Sequence, residues 1–156
     1  MKAVPLIMCA VLLAAGCSGG GSGQAANLKL SPLCVLSDDE ASTVAGVAVA
    51  AEGHTHDGTM CIYGDPKAFA GDTQVRIDRQ PFTGGQYGPE TGFLAITPKG
   101  TFRAAFYETS RDTAFGVSAD GQRVGLHVEG SELDRAARQD AITKAMGIIM
   151  ERYQAS

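Results

Sequence analysis

The sequence predicts an α+β domain: an antiparallel sheet of five or six strands, with a short N-terminal helix and a long C-terminal helix packed on one face. Three observations predict it. Apolar and polar residues alternate in several short runs between Met60 and Glu129, the period-two pattern of half-buried strands. Asp120-Gly121 separates two of these runs, and that dipeptide favours a tight hairpin, which makes its strands antiparallel. A capped helix precedes the runs and an apolar stripe at helical spacing follows them, so the helices flank an antiparallel meander of strands instead of alternating with them.

The first helix begins at Ser37, which can cap. Glu40 three residues later can complete a capping box, and Leu36 can staple onto Ala41. Asp38 and Asp39 favour the positive end of the helix dipole, a structural role. Gly46 ends the helix in a left-handed cap, and residues 47–51 extend as a brief strand. A polar loop over residues 52–58 leads to a strand in which Met60 and Ile62 oppose Cys61 and Tyr63. Val75 and Ile77 alternate with Arg76 and Asp78 in the next strand. Residues 81–92 are too rich in Gly and Pro for regular structure and make the longest loop.

Residues 93–97 form a short strand. Residues 101–108 form a clearer one, with Phe102, Ala104 and Phe106 on one face. The hairpin pair covers residues 113–118 and 122–129, with Val124, Leu126 and Val128 facing inward. Ser131, with Asp134 three residues on, opens a last helix of about twenty residues. Its stripe of Ile142, Ala145, Met146, Ile149 and Tyr153 lies across the sheet.

The N-terminus has a separate logic. Lys2, an apolar run from Ala3 to Leu13 and the small residues Ala14-Ala15-Gly16 before Cys17 are the parts of a secretory leader. The run is shorter than the roughly 20 residues needed to span a bilayer, and the glycines after Gly16 stop a helix. These residues resemble the leader of a bacterial lipoprotein precursor. The usual pattern has Leu three places before the cysteine, where this chain has Ala14 and carries Leu13 one step earlier. The resemblance implies removal of residues 1–16 and acylation of Cys17, with multiple chains anchoring the protein stably in a lipid bilayer. With Ser18 after the cysteine, it implies the outer membrane facing the periplasm in a Gram-negative cell, and the outer face of the cell membrane otherwise. Residues 17–26 then form the lipidated cysteine and a flexible Gly/Ser-rich tether with a typical reach of roughly 15 to 20 Å. Residues 27–156 are enough for a single domain with one core.

Charge and cysteine count narrow the function classes. Loss of the leader removes Lys2, leaving twelve basic side chains against seventeen acidic ones and a net charge of −5. That balance argues against nucleic acid as a partner and against an anionic membrane surface as the working ligand. Of the four cysteines, Cys9 leaves with the leader and Cys17 takes the lipid. Cys34 and Cys61 remain as a pair in an oxidising compartment, which predicts a disulfide. The competing reading, a metal or catalytic thiol pair, needs much shorter spacing.

A second resemblance rests on Cys34-Val35-Leu36-Ser37-Asp38-Asp39-Glu40-Ala41, Gly46 and Cys61-Ile62-Tyr63. These residues look like those of a group of small lipoproteins common in actinobacteria, and span about thirty residues. The group implies an extracytoplasmic fold and assigns no activity.

The candidate chemistry is sparse. His54, His56 and Asp57 are the one imidazole cluster, in a Gly-flanked loop that suits a polar turn better than a metal site. A zinc enzyme needs at least three fixed ligands and an open position, and the third histidine, His127, lies on a strand whose distance to that loop the sequence does not reveal. No nucleophile elbow, zinc-protease helix, phosphate loop or dinucleotide fingerprint appears. Neither a metal nor another cofactor is expected, and the chain reads as a non-enzyme. Phe82 and Tyr87, aromatics among the glycines of the long loop, are the candidate contacts for a protein partner in the envelope. The bland alternative is a disordered crossover with Phe82 tucked into the core. The expectation is a membrane-anchored binding domain, with an inhibitor or immunity lipoprotein against a cell-wall-acting effector or hydrolase as the alternative and an enzyme of unknown class as the third.

Overall fold

The structure, a computed structural model, describes residues 32–51, 58–64 and 72–154. Its elements are α1 (Asp38–Ala45), β1 (Met60–Tyr63), β2 (Gln74–Pro81), a single 3-10 turn (Pro89–Thr91), β3 (Phe93–Ile96), β4 (Phe102–Glu108), β5 (Thr113–Ser118), β6 (Gln122–Glu129) and α2 (Arg135–Arg152). The six strands make one sheet in the order β1-β2-β6-β5-β4-β3, and each neighbouring pair is antiparallel. This is the α+β architecture the alternation predicts, with six strands and both helices on one face, but it is not the expected meander: β6 stands between β2 and the rest of the sheet, so β2 and β3 are not neighbours.

The helix-facing side of the sheet carries Cys61, Tyr63, Val75, Ile77, Leu126 and Val124, each fully buried. Ile142, Met146 and Ile149 of α2 close over them with no measurable exposure. Each such side chain contributes roughly 1.5–3 kcal/mol on burial. The helix packs on β4, β5 and β6 and against α1.

The first helix forms as its sequence suggests. Glu40 N–H donates to Ser37 Oγ at 3.2 Å and Ser37 N–H to Glu40 Oε2 at 2.8 Å, the reciprocal capping box. Gly46, with φ 79°, ends it in the left-handed conformation. The Glu40 carboxylate also accepts two bonds from the Arg152 guanidinium, at 2.7 and 2.8 Å, which joins the start of α1 to the end of α2. That contact with Arg152, with help from the Ser37 N–H, holds the Glu40 carboxyl below its usual range.

Several local expectations are corrected. Residues 47–51 do not form a strand; only Ala51 bridges to Tyr63. The segment is stitched to α1 instead, since Val49 N–H donates to Ser42 Oγ and Ala51 N–H to Asp38 Oδ1. The cap of α2 is Asp134, whose Oδ1 accepts from Ala136 and Ala137 N–H. Ser131 is otherwise engaged, its hydroxyl donating to Val44 C=O and accepting from Leu133 N–H. In β4, Phe102, Ala104 and Phe106 do not share a face. A bulge between Phe102 and Ala104 shifts the register, so Phe102 stacks on Tyr153 under the helices while Phe106 joins Phe115 on the other side. An extra residue in one strand reverses the facing of every residue beyond it.

Cys34 and Cys61 sit at disulfide distance, with Cα atoms 5.2 Å apart, joining the segment before α1 to β1. Beside the bond, the buried Tyr63 hydroxyl donates to Leu36 C=O at 2.8 Å and accepts from Leu36 N–H at 3.1 Å. Burial pushes the Tyr63 phenol up to about 12. The folded state therefore keeps this proton more tightly than the unfolded chain, whose tyrosines titrate near pH 10. The resulting stability is complete below pH 10 and is lost as pH rises towards 12, by on the order of 2 kcal/mol. Denaturant titrations at pH 9 and 11.5 check this: the wild type is expected to lose stability between them and Tyr63→Phe to lose less. Equal losses would remove Tyr63 as the source.

Candidate functional site

The site is set by topology. The chain leaves β2 and must reach β3, four strand spacings away in the sheet order, a distance of about 19 Å. Residues 82–92 make that crossing over the sheet face opposite the helices. The loop is long because it passes β6, β5 and β4, and it is fastened at both ends. Phe82 N–H donates to Gly121 C=O at 2.9 Å, and Phe93 N–H to Gly88 C=O at 3.0 Å. Thr91 Oγ1 accepts from Gly88 N–H at 3.0 Å, closing the turn that contains Pro89.

Tyr87 lands in the middle of this crossing. Its ring lies 5.0 Å from Phe93, 5.0 Å from Phe115, 5.2 Å from Phe106 and 6.0 Å from Phe82. Edge-to-face and tilted pairs at these spacings are favourable beyond their buried area. The bend that delivers it needs Gly85, at φ 154°, where a Cβ would fall 2.5 Å from the Tyr87 hydroxyl oxygen. Tyr87 roofs over Phe115, which is 1% exposed, and helps bury the whole of β5 on both faces. The two aromatics named by the sequence therefore meet, but differ in role: Tyr87 is the anchor of the crossing and Phe82 its half-buried flank.

Between the crossing and the sheet lies an open cleft of about 370 Å³. Phe82, Tyr87 and Phe93 form its aromatic wall, and Gln80, Thr83 and Arg123 its polar side. The Arg123 guanidinium sits 4.6 Å from the Phe115 ring centroid, a cation–π contact. At the other end Arg111 pairs with Glu108 at 3.5 Å. Sequence reasoning missed Phe93, Phe106, Phe115 and Arg123. Alternation does place Arg123 opposite the inward Val124, but which loop overlies it is a property of strand order.

A polar strip shares this face. His127 Nε2 is 3.0 Å from Asp78 Oδ2, Thr113 Oγ1 is 3.2 Å from His127 Nδ1, and Arg76 Nε is 3.7 Å from Asp78 Oδ2. Burial alone raises the Asp78 carboxyl, but His127, Arg76 and Arg123 outweigh it and hold the group below its usual range. His127 Nε2 faces the Asp78 carboxylate at ion-pair distance without an aligned hydrogen bond, while Nδ1 is within hydrogen-bonding distance of the Thr113 hydroxyl. Gly125 leaves the room: a Cβ there would meet Asp78 Oδ1 at 2.7 Å and His127 Nε2 at 2.9 Å. The Thr113 N–H is taken by Arg111 C=O. The strip links β2, β6 and β5 through side chains and fixes the orientation of the imidazole.

Cys17, His54, His56 and Asp57 lie outside the described residues. Among the described residues no helix is long and apolar enough to cross a membrane. No family model, curated protein or solved structure matches the chain.

Proposed function

We propose that this is an envelope lipoprotein, acylated at Cys17, whose α+β domain is a non-enzymatic binding module that meets a protein partner at the cleft under the crossing. One observation carries the reading. Tyr87 is held by four aromatic rings, yet it and Phe82 remain partly exposed along a cleft that Arg123 also lines. Aromatic and arginine side chains on a rigid support are the residues that dominate protein interfaces. The leader, the tether and the mild negative charge suit a domain presented just off a lipid surface.

Two measurements on the full chain in its own cells test this. A clickable fatty-acid analogue is expected to label the wild type and not Cys17→Ser; unlabelled, fully soluble wild-type protein would overturn the anchoring. A photo-crosslinking residue at position 82 is expected to trap one discrete protein partner in the membrane fraction, and its absence would overturn the binding site. A cell-wall hydrolase recovered in equal amount would make the domain its inhibitor.

A further inference from the structure

We infer that the cleft recognises a carboxylate on a partner polypeptide, with Arg123 as the anchor and Gln80 and Thr83 as its hydrogen-bonding neighbours. This deepens the binding-module reading and rests on it. The starting point is an unusual cation. Arg123 is half-buried, and its guanidinium lies over the Phe115 ring. Asp78 feels its charge, but among the described residues no carboxylate comes within ion-pair distance of it and no acceptor takes any of its five donors. The other basic groups beside the cleft or on its sheet face differ, since Arg111 pairs with Glu108 and Arg76 with Asp78. Stacking on an aromatic face leaves a guanidinium's edge free, and that fork matches a carboxylate bidentately.

The neighbours point the same way. Gln80 stands directly opposite Arg123 in the β2–β6 register, and Thr83 follows on the rim of the same cleft. Neither side chain makes a hydrogen bond among the described residues. An amide, a hydroxyl and a guanidinium with no internal hydrogen bond thus line a cavity whose volume is at the lower end for ligand sites. Phe82 and Tyr87 line the same cleft, which suits an apolar or aromatic residue next to the acid. The single acidic side chain lining the cleft, Glu108, sits at the far end. Along β5, its partner Thr113 is four residues from Val117, the partner of Arg123, or about 13 Å. An anion at Arg123 is therefore clear of it. The carboxylate can come from an Asp or Glu side chain or from a chain terminus, and the cleft chemistry is the same for both.

The test uses the full chain in detergent micelles and follows the Arg123 Nε–H and the backbone amides of residues 82–88 by NMR. Two probes separate the sources: acetyl-Tyr-Glu-amide offers a side-chain carboxylate, and acetyl-Tyr-Gly with a free terminus offers a terminal one. Acetyl-Tyr-Gln-amide is the neutral control. At least one acid is expected to shift these signals with at least tenfold tighter binding than the control. Arg123→Gln is expected to lose that preference. Thr83→Val, at an exposed position, is expected to weaken it a few-fold without disturbing the fold. Equal binding of acid and amide, shifts elsewhere in the protein, or an unchanged preference in a folded Arg123→Gln would overturn the inference. If the partner trapped at position 82 is still captured by Arg123→Gln, the binding module stands and the carboxylate anchor falls.

Discussion

Replacing Cys34 and Cys61 together by alanine is expected to cost about 3.5 kcal/mol, one of the two largest single effects in the domain. The bond closes a loop with a sequence separation of 27, and the chain-entropy model scales the gain with the logarithm of that length. The bond also sits where other restraints are local. It joins the start of α1 to β1, the edge strand next to the Tyr63–Leu36 hydrogen bonds. Against a total stability of 5–15 kcal/mol for a typical domain, this loss lowers the melting temperature by roughly 10–20 °C. Thermal melts of the double variant, and of wild type with and without reductant, measure it. A drop under about 3 °C would show that the bond contributes little. The amide signals of the 82–92 crossing are expected to stay in place, because the bond and the crossing lie on opposite faces of the sheet.

Why the fold was legible and the site was not comes down to which interactions are local. The capping box at Ser37 and Glu40 spans four residues, the Asp120-Gly121 turn two, and the α2 stripe repeats every three or four. Each signals its structure without knowledge of the rest of the chain. The errors have the opposite character. The Phe102 bulge cannot be seen in an alternating pattern, since Phe102, Ala104 and Phe106 alternate correctly and only the extra residue opposite Ser118 separates them. Ser131 and Asp134 both fit a capping position, and the choice was decided by Val44 C=O of α1, 87 residues away. The residues 47–51 satisfy strand propensity, but Ser42 and Asp38 offer them side-chain partners first.

The cleft is further from the sequence because it depends on strand order. Reading a meander from consecutive strands puts β2 beside β3, and a crossing over the sheet has no place in it. Inserting β6 next to β2 sends residues 82–92 across three strands and brings Tyr87 onto Phe115. The aromatics on the loop could be suspected from composition. Their landing place, and Arg123 beside it, could not.

Phe115→Ala is expected to remove about 4 kcal/mol and to release the crossing as well. Phe115 is 1% exposed on the central strand β5. It supports Tyr87 at 5.0 Å, Phe106 at 5.5 Å and Phe93 at 6.0 Å, and carries Arg123 at 4.6 Å. Truncation leaves a cavity beneath the loop that three rings bridge but cannot fill, because Tyr87 is held at its own position by the Gly84–Gly85 bend and by its hydroxyl's bond to Gly84 C=O at 3.2 Å. The transfer and cavity costs therefore add. Phe115→Leu keeps most of the volume and should cost less than half as much. Phe82→Ala, on the half-buried flank, should cost about 1 kcal/mol or less. Denaturant titration gives the global loss, and hydrogen exchange at residues 82–92 reports the crossing. In Phe115→Ala these amides are expected to exchange far faster than those of β2 and β6, since the loop has few backbone bonds apart from its two ends. If the variant loses less than 1 kcal/mol, or the loop keeps wild-type protection, Phe115 is not the support on which Tyr87 and Arg123 rest.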